Sequence, residues 1–161
     1  MMSVRGTLDA IGCRPGIAIV ALVAPLALAC SDGTGPQGTD LERGRAKWEA
    51  AAIENYAYDY RRRCFCLPQL TRPVRIQVED GDVTGGSFLD DGQPVAAADL
   101  KLYPTVEDLF IQVQNAVQAD ADSIVVSYHP ELGYPTEAFI DFDRQTIDEE
   151  QGFAAENLSR L

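Results

Sequence analysis

The chain has 161 residues, 46% of them hydrophobic and 24% charged, which fits one packed domain with appendages rather than a disordered or fibrous chain. Its 25 acidic residues outnumber 13 basic ones, for a net charge of −12. That balance argues against nucleic acid as a partner, since phosphate binding rests on clustered Lys and Arg, and against a domain lying flat on anionic lipid.

Arg5 and Arg14 against a single Asp9 give the first residues a positive start. Ile17 to Ala29 then runs thirteen residues without a charge. That is short of the ~20 residues that span a bilayer, and Pro25 interrupts it. A basic start, a short apolar run and small residues at its end make residues 1–29 a secretory signal peptide. Leu26-Ala27-Leu28-Ala29-Cys30 resembles the lipobox of bacterial lipoproteins, whose cysteine receives a diacylglyceryl group before a peptidase cuts just ahead of it. Ala27 stands where the commonest lipobox has Leu, with Leu26 one place further out. An ordinary secretory cut after Ala29 is the alternative, but free cysteine is uncommon on exported surfaces. The resemblance implies lipid on Cys30 and a membrane anchor in the cell envelope. Ser31 after the cysteine implies the outer rather than the inner membrane. Cleavage removes two basic residues and one acidic one, so 132 residues remain with a net charge of −13. Residues 30–39 are rich in Gly and Pro and read as a flexible lipid-anchored linker.

Residues 40–161 read as one α+β domain. Thr39-x-x-Glu42 is a capping-box pattern that places a first helix over about Leu41 to Ile53, with Leu41, Trp48 and Ala52 facing inward. Tyr56, Tyr58, Tyr60, Cys64 and Cys66 then alternate with Ala57, Asp59, Arg61 and Arg63, the period of a strand. Val74, Ile76 and Val78 repeat that period, and Asp80-Gly81 turns the chain into a hairpin returning through Val83 to Phe88. Residues 92–103 carry no clear pattern. Thr105-x-x-Asp108 opens a second helix, on which Val106, Leu109, Phe110, Val113 and Val117 share one face. Strands follow over Ser123 to Tyr128 and Thr136 to Phe142, with a last short one over Gly152 to Leu158. The order α-βββ-α-ββ(β) with short connections predicts a mostly antiparallel sheet of five to six strands, with two helices packed on one face. The repeated helix-plus-strands order hints at internal duplication, without a residue-level repeat behind it.

Four local patterns sit together in this order: Asn55-Tyr56 with Cys64-Phe65-Cys66, the hairpin from Val74 to Val83, Gly133-Tyr134-Pro135-Thr136, and Ile140-Asp141 followed by Asp148-Glu149-Glu150. Over about Trp48 to Leu158 they resemble the uncharacterised bacterial domain-of-unknown-function family 6174. The resemblance implies small envelope proteins, often lipoproteins, with no established activity and no catalytic residues to carry over.

Cys64-Phe65-Cys66 is the most chemically loaded feature. In a regular strand the two cysteines would share a face roughly 6.5–7 Å apart, too far for a disulfide unless the chain bends. Outside the cytoplasm a structural disulfide is favoured, with two buried thiols as the bland alternative. The functional alternatives are thiol-redox chemistry, aided by Arg61, Arg62 and Arg63, and metal handling, for which His129 is the one histidine available. The Arg run can equally pair with carboxylates of a neighbouring strand. Asp141, Asp143, Asp148, Glu149 and Glu150 are hard oxygen donors of the kind calcium takes, with Asp141 and Asp143 on one strand face. An EF-hand is excluded, because Thr146 stands at the glycine position and Gly152 at the final acidic one. A solvated acidic loop is the plain alternative. No other cofactor is implied, and no nucleophile elbow or phosphate loop selects for an enzyme. The function these residues imply is a tethered, non-enzymatic module that binds an envelope protein or a small molecule, with the thiol or metal protein as the alternative.

Overall fold

The computed structural model describes residues 36–161. The expected signal peptide and Cys30 lie outside the described residues.

Helix α1 spans Pro36–Ala51 and so begins five residues before the position expected from the capping pattern. Pro36 stands first in the helix, where a fixed φ suits the turn and a missing N–H is no loss. Thr39 consequently lies inside the first turns instead of capping them, and residues 36–39 are helix rather than linker. The helix stops at Ala51 because Ala52 turns left-handed, with φ at 45°, and that turn leaves Ala52 exposed rather than inward-facing. Leu41 and Trp48 are buried as expected.

Strand β1 spans Tyr56–Cys64, β2 Val74–Glu79 and β3 Asp82–Phe88. Between β2 and β3, Asp80 and Gly81 both take positive φ, the backbone of a two-residue hairpin turn. The unpatterned stretch contributes buried Val95 and a 3-10 turn over Ala97–Leu102. Helix α2, Val106–Gln118, starts with a complete capping box: Thr105 accepts from the Asp108 N–H, and the Asp108 carboxylate accepts from the Thr105 N–H. Its buried face is Val106, Leu109, Phe110, Val113 and Ala116; Val117, expected on that face, is half-buried. Strands β4, Ser123–Tyr128, β5, Pro135–Asp141, and β6, Gln151–Arg160, complete the domain.

All six strands form one antiparallel sheet in the order β3-β2-β1-β6-β5-β4. The two meanders therefore meet through β1 and β6. A duplicated unit with both helices on one face would require a rotation that gives 3-2-1-4-5-6. The observed order keeps the sequence of strands and reverses their direction, which only a mirror could do, so the hint of duplication fails.

Both helices cover one face. Against them the sheet turns Tyr56, Tyr58, Tyr60, Val74, Ile76, Val78, Ala138, Ile140, Phe153 and Ala155, all buried. The open face is polar where β1, β2 and β6 meet. There Arg75 donates to Asp59 at 3.0 Å and to the Asn157 carbonyl at 2.7 Å, while Asn157 donates to Asp59 at 2.8 Å.

Candidate functional site

The β1–β2 pairing ends at Tyr60 and Val74, and β1 continues alone with β6 as far as Cys64 opposite Gln151. On the helix side this overhang leaves room. Tyr60, Arg62 and Cys64, spaced by two and so on one face, form one wall of a cleft. The 3-10 turn with Lys101 and Tyr103 forms the other, and Gln112 of α2 lies at its side. The cleft measures about 540 Å³, within the ~300–1,000 Å³ of small-molecule sites.

Four of the polar groups there are held in place by neighbours. The Arg62 guanidinium donates to the Leu102 carbonyl at 2.6 Å, which fixes it across the cleft. Asp108, the one carboxylate in the lining, is held by Thr105 at 2.9 and 3.0 Å in the capping box. Tyr60 and Tyr103 meet edge to face at 6.4 Å between ring centres. Burial raises both hydroxyls above the ordinary phenol value, so both remain neutral donors at neutral pH. The cleft thus offers a guanidinium, an ammonium, two phenols and two amide side chains.

Cys64 and Cys66 are joined as a disulfide. The strand stops at Cys64 and the chain bends at Phe65 and Cys66, which brings the two Cα atoms to 5.3 Å. Cys64 lines the cleft and is half-buried, whereas Cys66 is exposed. The neighbouring Arg run is largely engaged elsewhere: Arg63 pairs with Glu137 of β5, and Arg62 spans to Leu102. His129 cannot reach the cysteines. It lies past the Tyr128 end of β4, whereas the register sets Cys64 at the level of Ile124. Its Nδ1 accepts from the N–H groups of Glu131 at 3.3 Å and Leu132 at 3.1 Å, and its ring stacks on Tyr134.

The acidic group does not converge. Among the described residues no three His, Cys, Asp or Glu side chains stand as a metal-binding group. β5 ends at Asp141, so Asp143 does not share its strand face; it folds back on its own turn instead. Hydrogen bonds from the Gln145 N–H and the Thr146 hydroxyl, each 2.9 Å, hold the Asp143 carboxyl below the usual range. Asp148 and Glu150 are exposed, and one oxygen each of Asp141 and Glu149 is buried without a hydrogen-bond partner.

Lys101, Tyr103, Gln112 and Gln151 were not singled out in the sequence. They come from three separate segments, and only the β1–β6 pairing brings the last of them beside Cys64. Among the described residues no helix is long and apolar enough to cross a membrane.

The model of a family of unknown function, DUF6174, matches residues 40–160. No curated protein matches the chain, and no solved structure does.

Proposed function

The chain belongs to the family of unknown function DUF6174, and from that premise we propose that it is a cell-envelope lipoprotein whose domain is a binding module for a small anion-bearing molecule. Lipid on Cys30 is its anchor, and Ser31 directs it to the outer membrane. The lipobox-like Leu26 to Cys30 supports the anchor. The cleft supports the binding role and is the observation that carries it. In a domain with so large an acidic excess, this opening is lined by Arg62 and Lys101 against one carboxylate already engaged by Thr105. A bound anion would find a fixed guanidinium, the phenol of Tyr103 and the amide of Gln112 as donors. No pair of groups in the cleft is arranged as nucleophile and base, so binding without reaction is the reading we adopt.

Two measurements test it. Cys30→Ser should abolish fatty-acid labelling and membrane fractionation; unchanged fractionation would rule out the anchor. Citrate and inorganic phosphate should each raise the melting temperature of the native protein, and Arg62→Ala with Lys101→Ala should remove that rise. No rise with either anion would reject the anion site.

One observation favours a second reading, thiol exchange: Cys66 is exposed, and its partner Cys64 lines the same cleft. Reduction of the pair by a mild dithiol without loss of fold would support it, and resistance to that reductant would dismiss it.

A further inference from the structure

The three most exposed large apolar side chains among the described residues are Ile147 at 84%, Phe65 at 80% and Leu67 at 67%. All three lie at one end of the sheet. Cys64 pairs with Gln151, Gln151 with Ile140 and Ile140 with Ile124, one row across β1, β6, β5 and β4. Phe65 and Leu67 follow Cys64 directly, and Ile147 lies on the connection between β5 and β6. Leu161, also exposed, marks the opposite end, its N–H bonded to the Asn55 carbonyl.

Helix α1 begins at the same end as the exposed trio. Gln37 donates to the Ile124 carbonyl at 3.5 Å, and Gln37 and Gly38 wall a hollow with Asp122, Ser123 and Arg144. Only five residues, Ser31 to Gly35, separate Pro36 from Cys30. Six Cα steps reach about 20 Å at most. A lipid on Cys30 therefore keeps this end of the domain, and not the end at Leu161, next to the bilayer.

We propose that this end is a membrane-contact surface, with Phe65, Leu67 and Ile147 seated in the interface of a zwitterionic phospholipid bilayer. The inference rests on the lipid anchor proposed above. Removing such side chains from water is favourable wherever they meet acyl chains. The Cys64–Cys66 link ties down the segment that carries Phe65 and Leu67, so less conformational freedom is lost when it docks. Charge selects the lipid class. Ile147 is flanked by Asp143, Asp148, Glu149 and Glu150 against one cation, Arg144, whose guanidinium donates to the Asp122 carbonyl. The net charge beside Ile147 is therefore negative, and anionic head groups would be repelled.

The test uses the full lipidated protein in phosphatidylcholine vesicles with brominated acyl chains. Trp48 is buried and supplies a constant background. Phe65→Trp should add an emission that the bromines quench at least twofold, while Leu161→Trp should not be quenched. Equal quenching of the two, or none, overturns the contact. Flotation and the intact mass of Cys30 report the anchor independently. Acylated, floating protein without quenching at position 65 sinks the contact and leaves the anchor standing. Protein that is not acylated and does not float sinks both. Replacing half the lipid by phosphatidylglycerol at low salt should reduce the quenching, and added salt should restore it; quenching insensitive to both would reject the zwitterionic assignment.

Discussion

Gly44 of α1 and Gly133 of the loop between β4 and β5 meet backbone to backbone. A Cβ on Gly44 would stand 2.7 Å from the Gly133 carbonyl oxygen, and one on Gly133 would collide with the Gly44 carbonyl. The absence of side chains lets the helix sit down on the loop, beside Tyr128. In a free helix Gly44→Ala would gain ~1 kcal/mol from propensity alone. Here it should destabilise. Gly133→Ala should cost more, since φ is +78° there and a left-handed backbone adds ~1–2 kcal/mol to the collision. Gly81→Ala is the control, with φ at +84° and open space around it. Urea melts that gave Gly133→Ala and Gly81→Ala the same loss would show that the close approach carries no energy.

Alkali should unfold the domain. All six tyrosines have hydroxyls raised from 10.0, with burial the largest cause in each; Tyr128 is pushed up to about 12. The unfolded chain ionises at the lower value, so the contribution to stability is whole below about pH 10 and is lost as pH climbs through the folded values. Melts should be flat between about pH 8 and 9.5 and fall above 10, with phenolate absorbance rising as the fold is lost. Reversible titration of most of the tyrosines near pH 10 in a native protein would contradict the packing of β1.

Phe110 is 1% exposed, on the buried face of α2, with Arg45 over its ring at 5.2 Å. Phe110→Ala should cost about 3–5 kcal/mol in a denaturant melt. A loss below about 1 kcal/mol would mean that the ring does not fill the space between α2 and the sheet.

Glu107 ties three elements together. Its carboxylate accepts from the Trp48 indole at 2.8 Å and from the Tyr56 hydroxyl at 3.1 Å, while that hydroxyl accepts from the Val106 N–H at 2.9 Å. Glu107→Ala leaves a buried indole donor without its acceptor and should cost about 1–3 kcal/mol. Glu107→Gln, which keeps an acceptor, should recover part of that. A full loss in Glu107→Gln as well would make the charge, and not the acceptor, the source of the effect.

How much of this could be read from the residues depended on whether local chemistry or a distant contact decides each element. Helix α2 was legible because five spaced apolar residues and the Thr105–Asp108 box act within a few turns. The Asp80-Gly81 hairpin was legible because only a few residue pairs favour two positive φ angles in succession. The start of α1 was not legible. Pro36-Gln37-Gly38 has loop composition, and these turns lie against Ile124 and the hollow at Asp122, contacts more than 80 residues away in the chain. The five carboxylates from Asp141 to Glu150 are close in sequence, but the end of β5 at Asp141 and the turn at Asp143 decide how they are placed, and no local spacing announces either. The cleft depends on β6 returning beside β1, a pairing of the first and last strands that no local spacing announces.

The disulfide offers the last prediction. Cys64 and Cys66 close a very small ring, so the entropy it removes from the unfolded chain is small. Its stabilisation should fall below the ~3 kcal/mol calculated for a 15-residue loop. Cys64→Ala with Cys66→Ala should accordingly leave a folded protein with a modestly lower melting temperature. The core side chains of β1, Tyr56, Tyr58 and Tyr60, lie upstream of the bend and keep their contacts. The change should concentrate where the link acts, with faster amide exchange from Phe65 to Leu67 and little difference on α2. Alkylation of the native or denatured protein without reductant should label neither cysteine. Full labelling of both after denaturation would show free thiols in the protein, and a collapse of the fold in the double variant would make the link a requirement for folding rather than a clamp on its tip.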